Sequence, residues 1–343
     1  MKKQTEIITE TPLLDEKGRA LKPGYCKRNL YIYNKDVIRN KRRRIKEWDF
    51  YLITDGRIKI ELNFFNISFA AALTAEVVDL KTGRSWSDMI LESSSPDKYT
   101  LSPAADADFL FHYRNAGRSA WFKTEGTRHC LVFRGKPKGK RFEINIKGDR
   151  LPDQESLTVL TPFKDPAQFF YSQKLNCIAC TGTVRIGDTV LTLNPDRAFM
   201  AVDWARGVWP YASSWYWTNG STYLNGKRFG FELTWGFGNE SHATETALFY
   251  DGKCHKIGPV KLDSDPAKEG WLSPWHFTDA EGRLDLTLTP VLHRPVGLVF
   301  AGIAGHKSDQ VFGHFNGRVR LNDGTVLEIK DMFAFAEKAV NRW

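Results

Sequence analysis

Apolar and polar residues alternate along most of this 343-residue chain. In the segment GKRFGFELTW, Phe229, Phe231 and Leu233 share one face, while Glu232 and Thr234 lie on the other. The segments RLDLTLTPVL, RFEINIK and TVLEIKD repeat this alternation. A period of two is typical of β-strands that bury one face. The pattern therefore predicts an all-β protein.

Dipeptides that favour tight turns separate these segments at short intervals. They are Asp55-Gly56, Gly187-Asp188, Asn225-Gly226, Asp251-Gly252 and Asp323-Gly324. Because these residues tolerate positive φ, the series predicts antiparallel hairpins, and closing such sheets into barrels would remove their exposed edges. Few segments favour a helix. VDLKTGRSWSDMILES could hold one turn, and DMFAFAEKAVNRW is expected to form a short C-terminal helix.

The length of the chain suggests two domains, at about 150 residues each. Pro162 and Pro166 interrupt the alternating pattern, which places the boundary between residues 1–165 and residues 166–343. A weak internal similarity between Trp48–Gly83 and Trp217–Gly252 is consistent with two related halves.

Composition narrows the choice of partner and compartment. The net charge of +9 and the basic run KRRRIK, Lys41 to Lys46, leave open a solvated arm or an anionic membrane surface, but no motif predicts specific nucleic-acid binding. No leader-like or membrane-spanning apolar stretch occurs, and five cysteines suit a reducing compartment, so we expect a cytoplasmic protein. Cys177 and Cys180 would face opposite sides of a strand, so neither a metal site nor a cofactor is predicted.

The segment DWARGVWPYASSWYWTNGS, residues 203–221, is the most aromatic part of the chain. On an extended strand its odd positions share one face, and four of them are the rings Trp209, Tyr211, Trp215 and Trp217. Large rings usually form a core, but the same stripe could line a cavity for an apolar ligand. Both interpretations remain open from the sequence.

Asp203 and Arg206 are the charged groups in this segment. Aromatic surroundings would favour the protonated form of Asp203, which would make it a candidate general acid. Contact with the guanidinium of Arg206 would instead keep the carboxylate ionised and make the pair a structural clamp. Glu245 is a second candidate carboxylate, with Arg206 as its expected partner, and His242 could join it only if the chain bends between them.

Several segments resemble an uncharacterised family, domain of unknown function 2804. The similar segments are TPLLDEKGRALKPGY, WDFYLIT, DWARGVWPYASSWYW, GFELTWGFGN, TETALFYDGK, DQVFGHFNGRVRLNDG and FAEKAVNRW, which span nearly the whole chain. More distantly, this family is similar to bipartite lipocalin-like proteins, namely the carotenoid 1,2-hydratases, the tocopherol cyclases and related Diels–Alderases. The resemblance implies two lipocalin-like antiparallel β-barrels packed together.

The same resemblance implies a role for Asp203. In the hydratases, a strand near the start of the second domain carries a Gly-x-x-Trp-x-Asp-x-x-Trp-Gly-like sequence, and AFMAVDWARG would be its counterpart here. Arg206 and Gly207 stand where that motif has Trp-Gly. The expected function is a hydratase, isomerase or cyclase acting on a lipid- or isoprenoid-like ligand. Asp203 is the expected acid, with Glu245 or His242 as an orienting or shuttling group. The residues expected to contact the ligand are Arg206, Trp209, Tyr211, Trp215 and Trp217. The alternatives are a non-catalytic carrier of lipid-like molecules and a basic protein that associates with anionic membrane or nucleic acid.

Overall fold

The computed structural model describes residues 4–115, 117–300 and 304–342. Nearly all of the regular secondary structure in these residues is β-strand. The strands in chain order are β1 (Thr11–Pro12), β2 (Gly24–Cys26), β3 (Tyr31–Ile32), β4 (Ile45–Thr54), β5 (Ile58–Asn66), β6 (Ala70–Asp79), β7 (Ser85–Ser93), β8 (Phe109–Asn115), β9 (Arg118–Glu125), β10 (Arg128–Gly135), β11 (Phe142–Asp149), β12 (Leu157–Pro162), β13 (Phe169–Ile186), β14 (Thr189–Thr192), β15 (Phe199–Val208), β16 (Ala212–Leu224), β17 (Lys227–Trp235), β18 (Glu245–Tyr250), β19 (Lys253–Lys256), β20 (Val260–Leu262), β21 (Trp275–Asp279), β22 (Leu284–Phe300), β23 (Ala304–Arg320) and β24 (Val326–Arg342). The helical segments are α1 (Pro266–Glu269) and three 3-10 turns at Lys35–Val37, Arg42–Arg44 and Pro137–Gly139. The prediction of an all-β fold is confirmed.

The chain divides into two compact units that are each discontinuous in sequence. Unit 1 contains Met1–Lys41, Ser156–Tyr171 and Gly207–Trp343, and unit 2 contains Arg42–Glu155 and Ser172–Arg206. The boundary predicted at residue 165 falls inside a segment of unit 1, and as a statement about functional domains it stays a prediction.

Unit 2 is built on a curled antiparallel sheet. Its strands follow the order β7-β6-β5-β4-β15-β13-β11-β10-β9-β8, with β14 paired to β13. Strands β4 to β7 are consecutive hairpins, as the alternating sequence predicts. The apolar face of the sheet carries buried side chains such as Ile53, Leu62, Phe133 and Ile144.

Unit 1 contains a nine-stranded antiparallel sheet with the order β19-β18-β17-β16-β24-β23-β22-β21-β20. One face of this sheet holds an apolar core, which we call the core face; its members include Phe229, Phe231, Leu233, Leu248, Trp275, Phe277, Leu284, Leu286, Leu288, Val311, Phe315, Leu327, Ile329 and Ala336. The alternation read in GKRFGFELTW and RLDLTLTPVL supplies the inward side chains of β17 and β22. Unit 1 also contains the pairs β1–β3 and β2–β12.

All five predicted turn dipeptides lie between consecutive strands. Asn225 and Gly226 connect β16 to β17 with φ values of 53° and 75°, and Asp251 and Gly252 connect β18 to β19 with 51° and 80°. Positive φ at both central residues gives the backbone twist that two-residue hairpins require.

The predicted C-terminal helix is wrong, because Asp331 to Arg342 belongs to β24. This strand pairs with β16 on one side and with β23 on the other. Ala-rich segments favour helices in isolation, but the sheet offers two ladders of backbone hydrogen bonds and a burial pattern with a period close to two. The segment around Trp86, where one helical turn was expected, likewise forms β7.

The basic run Lys41 to Lys46 does not form a continuous charged surface. Lys41 is ion-paired with Asp165, and Arg42 with Asp97. Lys46 is buried in β4, where its Nζ donates to the carbonyl of Ile67 at 2.7 Å. Burial, and secondarily the nearby charge of Arg44, lowers the pKa of Lys46 to about 7. Binding to an anionic surface stays a prediction. Fewer basic side chains of this run are available for it than the sequence implies, because Lys41 and Arg42 are ion-paired and Lys46 is buried.

No helix of the described chain combines the length and the apolar character needed to cross a membrane.

Candidate functional site

At one end of the unit 1 sheet, the side chains of the core face change from apolar to charged and aromatic. Tyr216 on β16 is paired with Trp235 on β17 and with Lys338 on β24, and Lys338 is paired with Asp309 on β23. Directly paired residues of antiparallel strands point to the same face. These four side chains therefore form one row across four strands.

The neighbouring row shows that this face is the core face. Thr218 is paired with Leu233 and Ala336, and Ala336 is paired with Val311. All four are fully buried, and three of them are apolar. The row of Tyr216, by contrast, is only partly buried. The apolar core thus ends in an accessible row of charged and aromatic groups.

Further rings surround this row. Tyr216 and Trp235 are stacked, with centroids 5.1 Å apart and planes at 10°. Trp271 and His293 form a second stack at 5.5 Å and 24°. Trp275, fully buried, lies 6.3 Å from Tyr216 and 6.0 Å from Trp271. Two stacked pairs therefore contact the same buried indole.

Three titratable groups complete the cluster. The Nε2 of His293 lies 2.8 Å from Oδ1 of Asp309. The Nζ of Lys338 lies 3.9 Å from the centroid of the Tyr216 ring, a cation–π contact. Burial lowers the pKa of Lys338, and Asp265 opposes that shift. We call the group of Tyr216, Trp235, Trp271, Trp275, His293, Asp309 and Lys338 the aromatic end.

The predicted ligand residue Trp209 lies in a different cluster. Its ring is almost fully buried in unit 1, with Phe170 at 5.0 Å, Phe163 at 5.4 Å, Trp215 at 5.7 Å and Phe237 at 5.9 Å. Rings occupy its surroundings on several sides, so Trp209 has the contacts of a core residue.

The other predicted ligand residues are distributed over separate environments. Tyr211 is half-exposed after β15, and Trp215 is partly buried beside His306 at 6.2 Å. Trp217 packs edge-on against Phe335 at 5.1 Å, on the face opposite to Tyr216. Tyr216, at an even position of this segment, is the ring that points to the core face. Ligand contact by the odd residues stays a prediction.

Asp203 and Arg206 do not form the expected pair. Residues three apart on β15 point to opposite faces, and the Asp203 carboxylate instead binds Nζ of Lys174 at 2.7 Å. Arg206 is buried and donates to Asp49 at 2.8 Å and to the carbonyl of Ser102 at 2.6 Å. Arg206 is therefore a structural clamp within unit 2, but its partner is Asp49. This arrangement does not favour Asp203 as an acid, because its carboxylate is engaged in an ion pair with Lys174.

The chain bends between His242 and Glu245, as is required if the two residues are to act together. Their environments nevertheless differ. His242 is exposed, while Glu245 begins β18 and is buried. Glu245 is paired with Thr234, which is paired with Trp217, so these three share the face opposite to the core face. Arg206, its expected partner, belongs to the Asp49 clamp. The catalytic roles of both residues remain predictions.

Carboxylates on this opposite face belong to a polar network. Glu232 accepts hydrogen bonds from Nδ2 of Asn219 and Oγ1 of Thr234, both at 2.8 Å. Buried hydrogen bonds of this kind help to make a sheet rigid and to specify its register. Among the described residues, no group of three or more His, Cys, Asp or Glu side chains is placed to hold a metal ion.

The sequence did not reveal the titratable part of the aromatic end. His293 and Asp309 are sixteen positions apart, and the long hairpin of β22 and β23 brings them together. The available signal was the alternation in RLDLTLTPVL, which predicts the first strand of this hairpin but not its register.

Among solved structures, kievitone hydratase from Nectria haematococca is similar over 87% of this chain and 88% of that one, at 10% identity and a TM-score of 0.40. No curated protein matches the chain by sequence. The family model described as domain of unknown function DUF2804 matches residues 4–343. The chain therefore belongs to the DUF2804 family.

Proposed function

We propose that this protein binds a small, mostly apolar molecule with aromatic or conjugated character at the aromatic end of unit 1, and that it transfers protons to or from that molecule. Sites for small molecules are typically apolar surfaces with a few convergent polar groups. Four rings, one His–Asp pair and one lysine provide that combination here.

A single observation carries the proposal. The core face is apolar until the row of Tyr216, where it becomes charged, aromatic and partly exposed. A row that only closed the core would need neither a lysine nor a carboxylate bound to the imidazole of His293. Partly buried ionisable groups beside accessible rings are more frequent at functional sites than elsewhere.

The chemistry follows from the groups that meet there. An imidazole held by a carboxylate can accept a proton and return it, as a general base and then a general acid. The rings of Trp235 and Trp271 supply flat apolar contact for an unsaturated ligand. Hydration, isomerisation and cyclisation of a double bond all use these elements. The predicted acids Asp203 and Glu245 lie outside this group.

Binding is tested by titrating trans-stilbene, a neutral conjugated hydrocarbon, into the protein and measuring the quenching of tryptophan fluorescence. The variant Trp271→Ala is expected to weaken binding at least tenfold. Trp86→Ala is the matched control, because Trp86 is a half-buried tryptophan of β7 in unit 2. Equal affinity of the wild type and Trp271→Ala would contradict the proposed site.

Catalysis is distinguished from carriage by extracting any co-purifying molecule and returning it to the protein in D₂O. An enzyme would introduce deuterium at a carbon atom, and the variant His293→Phe would not, although the phenyl ring can still stack on Trp271. Binding without deuterium exchange in the wild type would identify a non-catalytic carrier.

A further inference from the structure

We propose that the ligand of the aromatic end carries a carbonyl group conjugated to a carbon–carbon double bond, and that the protein adds water across that bond. This inference rests on the proposed function and names the substrate class of the same site. It follows from the kind of polar groups that the aromatic end contains.

A double bond can be hydrated by acid catalysis or by base catalysis, and the groups at the site favour one of these routes. Protonation of an isolated alkene forms a carbocation and needs a strong acid. The aromatic end offers instead an imidazole beside the Asp309 carboxylate, with 2.8 Å between Nε2 and Oδ1, which suits a general base. A base can hydrate a double bond only if an electron-withdrawing group makes the distal carbon electrophilic.

Lys338 supplies the complementary group. It lies in the cross-strand row between Asp309 and Tyr216, with its Nζ packed on the tyrosine ring. A nitrogen donor in a partly desolvated site stabilises an oxygen that gains negative charge during the reaction. The carbonyl oxygen of a conjugated ketone or aldehyde gains such charge when a nucleophile adds to the β-carbon.

The step balances with water as the only co-reactant. His293 takes a proton from water, and the water oxygen bonds to the β-carbon. The π electrons move through the α-carbon to the carbonyl oxygen, which accepts a hydrogen bond from Lys338. The imidazolium then returns the proton to the α-carbon, and the carbonyl re-forms. Asp309 does not touch the substrate in this scheme and is a positioning residue that orients His293.

Chalcone and trans-stilbene provide a matched pair of probes, because both carry two phenyl rings and only chalcone has the conjugated carbonyl. Purified protein is incubated with each probe in H₂¹⁸O, and the product is examined by mass spectrometry. The expected product is chalcone plus one labelled water, while stilbene binds and stays unchanged. Loss of one oxyanion donor typically costs about 10² to 10³ in kcat, so Lys338→Met is expected to show a loss of that size.

Three variants control this experiment. Lys330→Met alters an exposed lysine of the same strand and is expected to leave turnover unchanged. Lys338→Arg keeps a donor and is expected to recover part of the activity that Lys338→Met loses. Asp309→Asn should lower kcat with little change in KM, because it affects the orientation of His293 and not the contacts with the probe.

Failure of the inference differs from failure of the proposed function. If both probes bind wild type at the aromatic end but chalcone gains no labelled water, the substrate class is wrong and the binding site stands. Hydration that is equally fast in Lys338→Met, with stilbene affinity and circular dichroism preserved, would also overturn the inference. If neither probe binds, the proposed function itself is wrong.

Discussion

The guanidinium of Arg206 lies 2.8 Å from the carboxylate of Asp49, although 157 positions separate them in the chain. Arg206 also donates to the carbonyls of Trp48 and Ser102, and both ionic side chains are nearly inaccessible to water. A buried charge that loses its partner stays desolvated without compensation. This pair therefore holds β4 and β15 in register within unit 2.

Arg206→Met is expected to destabilise the protein by about 3 to 5 kcal/mol, because it leaves the buried Asp49 carboxylate without its cationic partner. Urea unfolding followed by circular dichroism measures the change. Arg128→Met is the control, since the pair of Arg128 and Asp149 is exposed, and such pairs contribute little to stability. Similar losses of unfolding free energy in the two variants would show that the Arg206–Asp49 pair stabilises the protein no more than an exposed ion pair does.

The pair of Lys174 and Asp203 gives a second prediction. Asp203→Asn leaves the buried Lys174 without its carboxylate, and we expect a loss of about 2 kcal/mol in the free energy of unfolding. The double variant Lys174→Met and Asp203→Asn should recover part of this loss, which a double-mutant cycle would measure as coupling. An Asp203→Asn protein with wild-type stability and no turnover would instead favour the catalytic role that the sequence suggested.

Lys256 makes the stability of unit 1 depend on pH. Its Nζ donates to the Thr244 hydroxyl at 2.7 Å and to the Ile257 carbonyl at 2.6 Å, and burial lowers its pKa to about 7. Between pH 7 and the ordinary pKa of lysine, about 10.4, the unfolded chain binds more protons than the folded protein. The free energy of unfolding should therefore rise with pH in this window, by at most about 1.4 kcal/mol for each pH unit.

The variant Lys256→Met should have a smaller slope of stability against pH between 7 and 10. Urea midpoints at several pH values provide the measurement. Lys261→Met is a suitable control, because Lys261 is exposed and ion-paired with Asp263, two residues further along the chain. An unchanged slope in Lys256→Met would mean that Lys256 keeps an ordinary pKa in the folded protein.

Substitution in the turn at Asn225 and Gly226 should destabilise the protein. Gly226 has a φ of 75°, so Gly226→Ala is expected to cost about 1 kcal/mol despite the open space around its Cα. Gly297→Ala tests the same chemical change at an exposed strand position, where a Cβ would meet only ordinary contacts, and it should be neutral or slightly stabilising. Thermal unfolding of the two variants compares them directly.

Local features of the fold could be predicted from the sequence because their causes are local. The Asn225-Gly226 and Asp251-Gly252 turns need positive φ, and the alternation of Phe229, Phe231 and Leu233 needs one buried face. The C-terminal strand was missed because its pairing with β16 and β23 outweighs the helix propensity of its alanines. Pairing of this kind is a long-range effect.

The site was harder to predict for a related reason. Alternation shows that Tyr216 and Trp217 point in opposite directions, but both sides of β16 are aromatic and substantially buried, so it cannot tell which side faces the core. The partners of Asp203, Arg206 and His293 lie on other strands at separations that depend on the sheet order. Charge and spacing within one segment therefore suggested an Asp203–Arg206 pair that the strand geometry forbids.

Photoaffinity labelling with benzophenone, a flat aromatic ketone, tests the central claim most directly. After irradiation and proteolysis, mass spectrometry identifies the labelled peptides. Our account predicts label on the segments that contain Trp235, Trp271 and Lys338, with less label in the presence of excess trans-stilbene. Label confined to residues 42–155, or labelling that stilbene does not reduce, would contradict it.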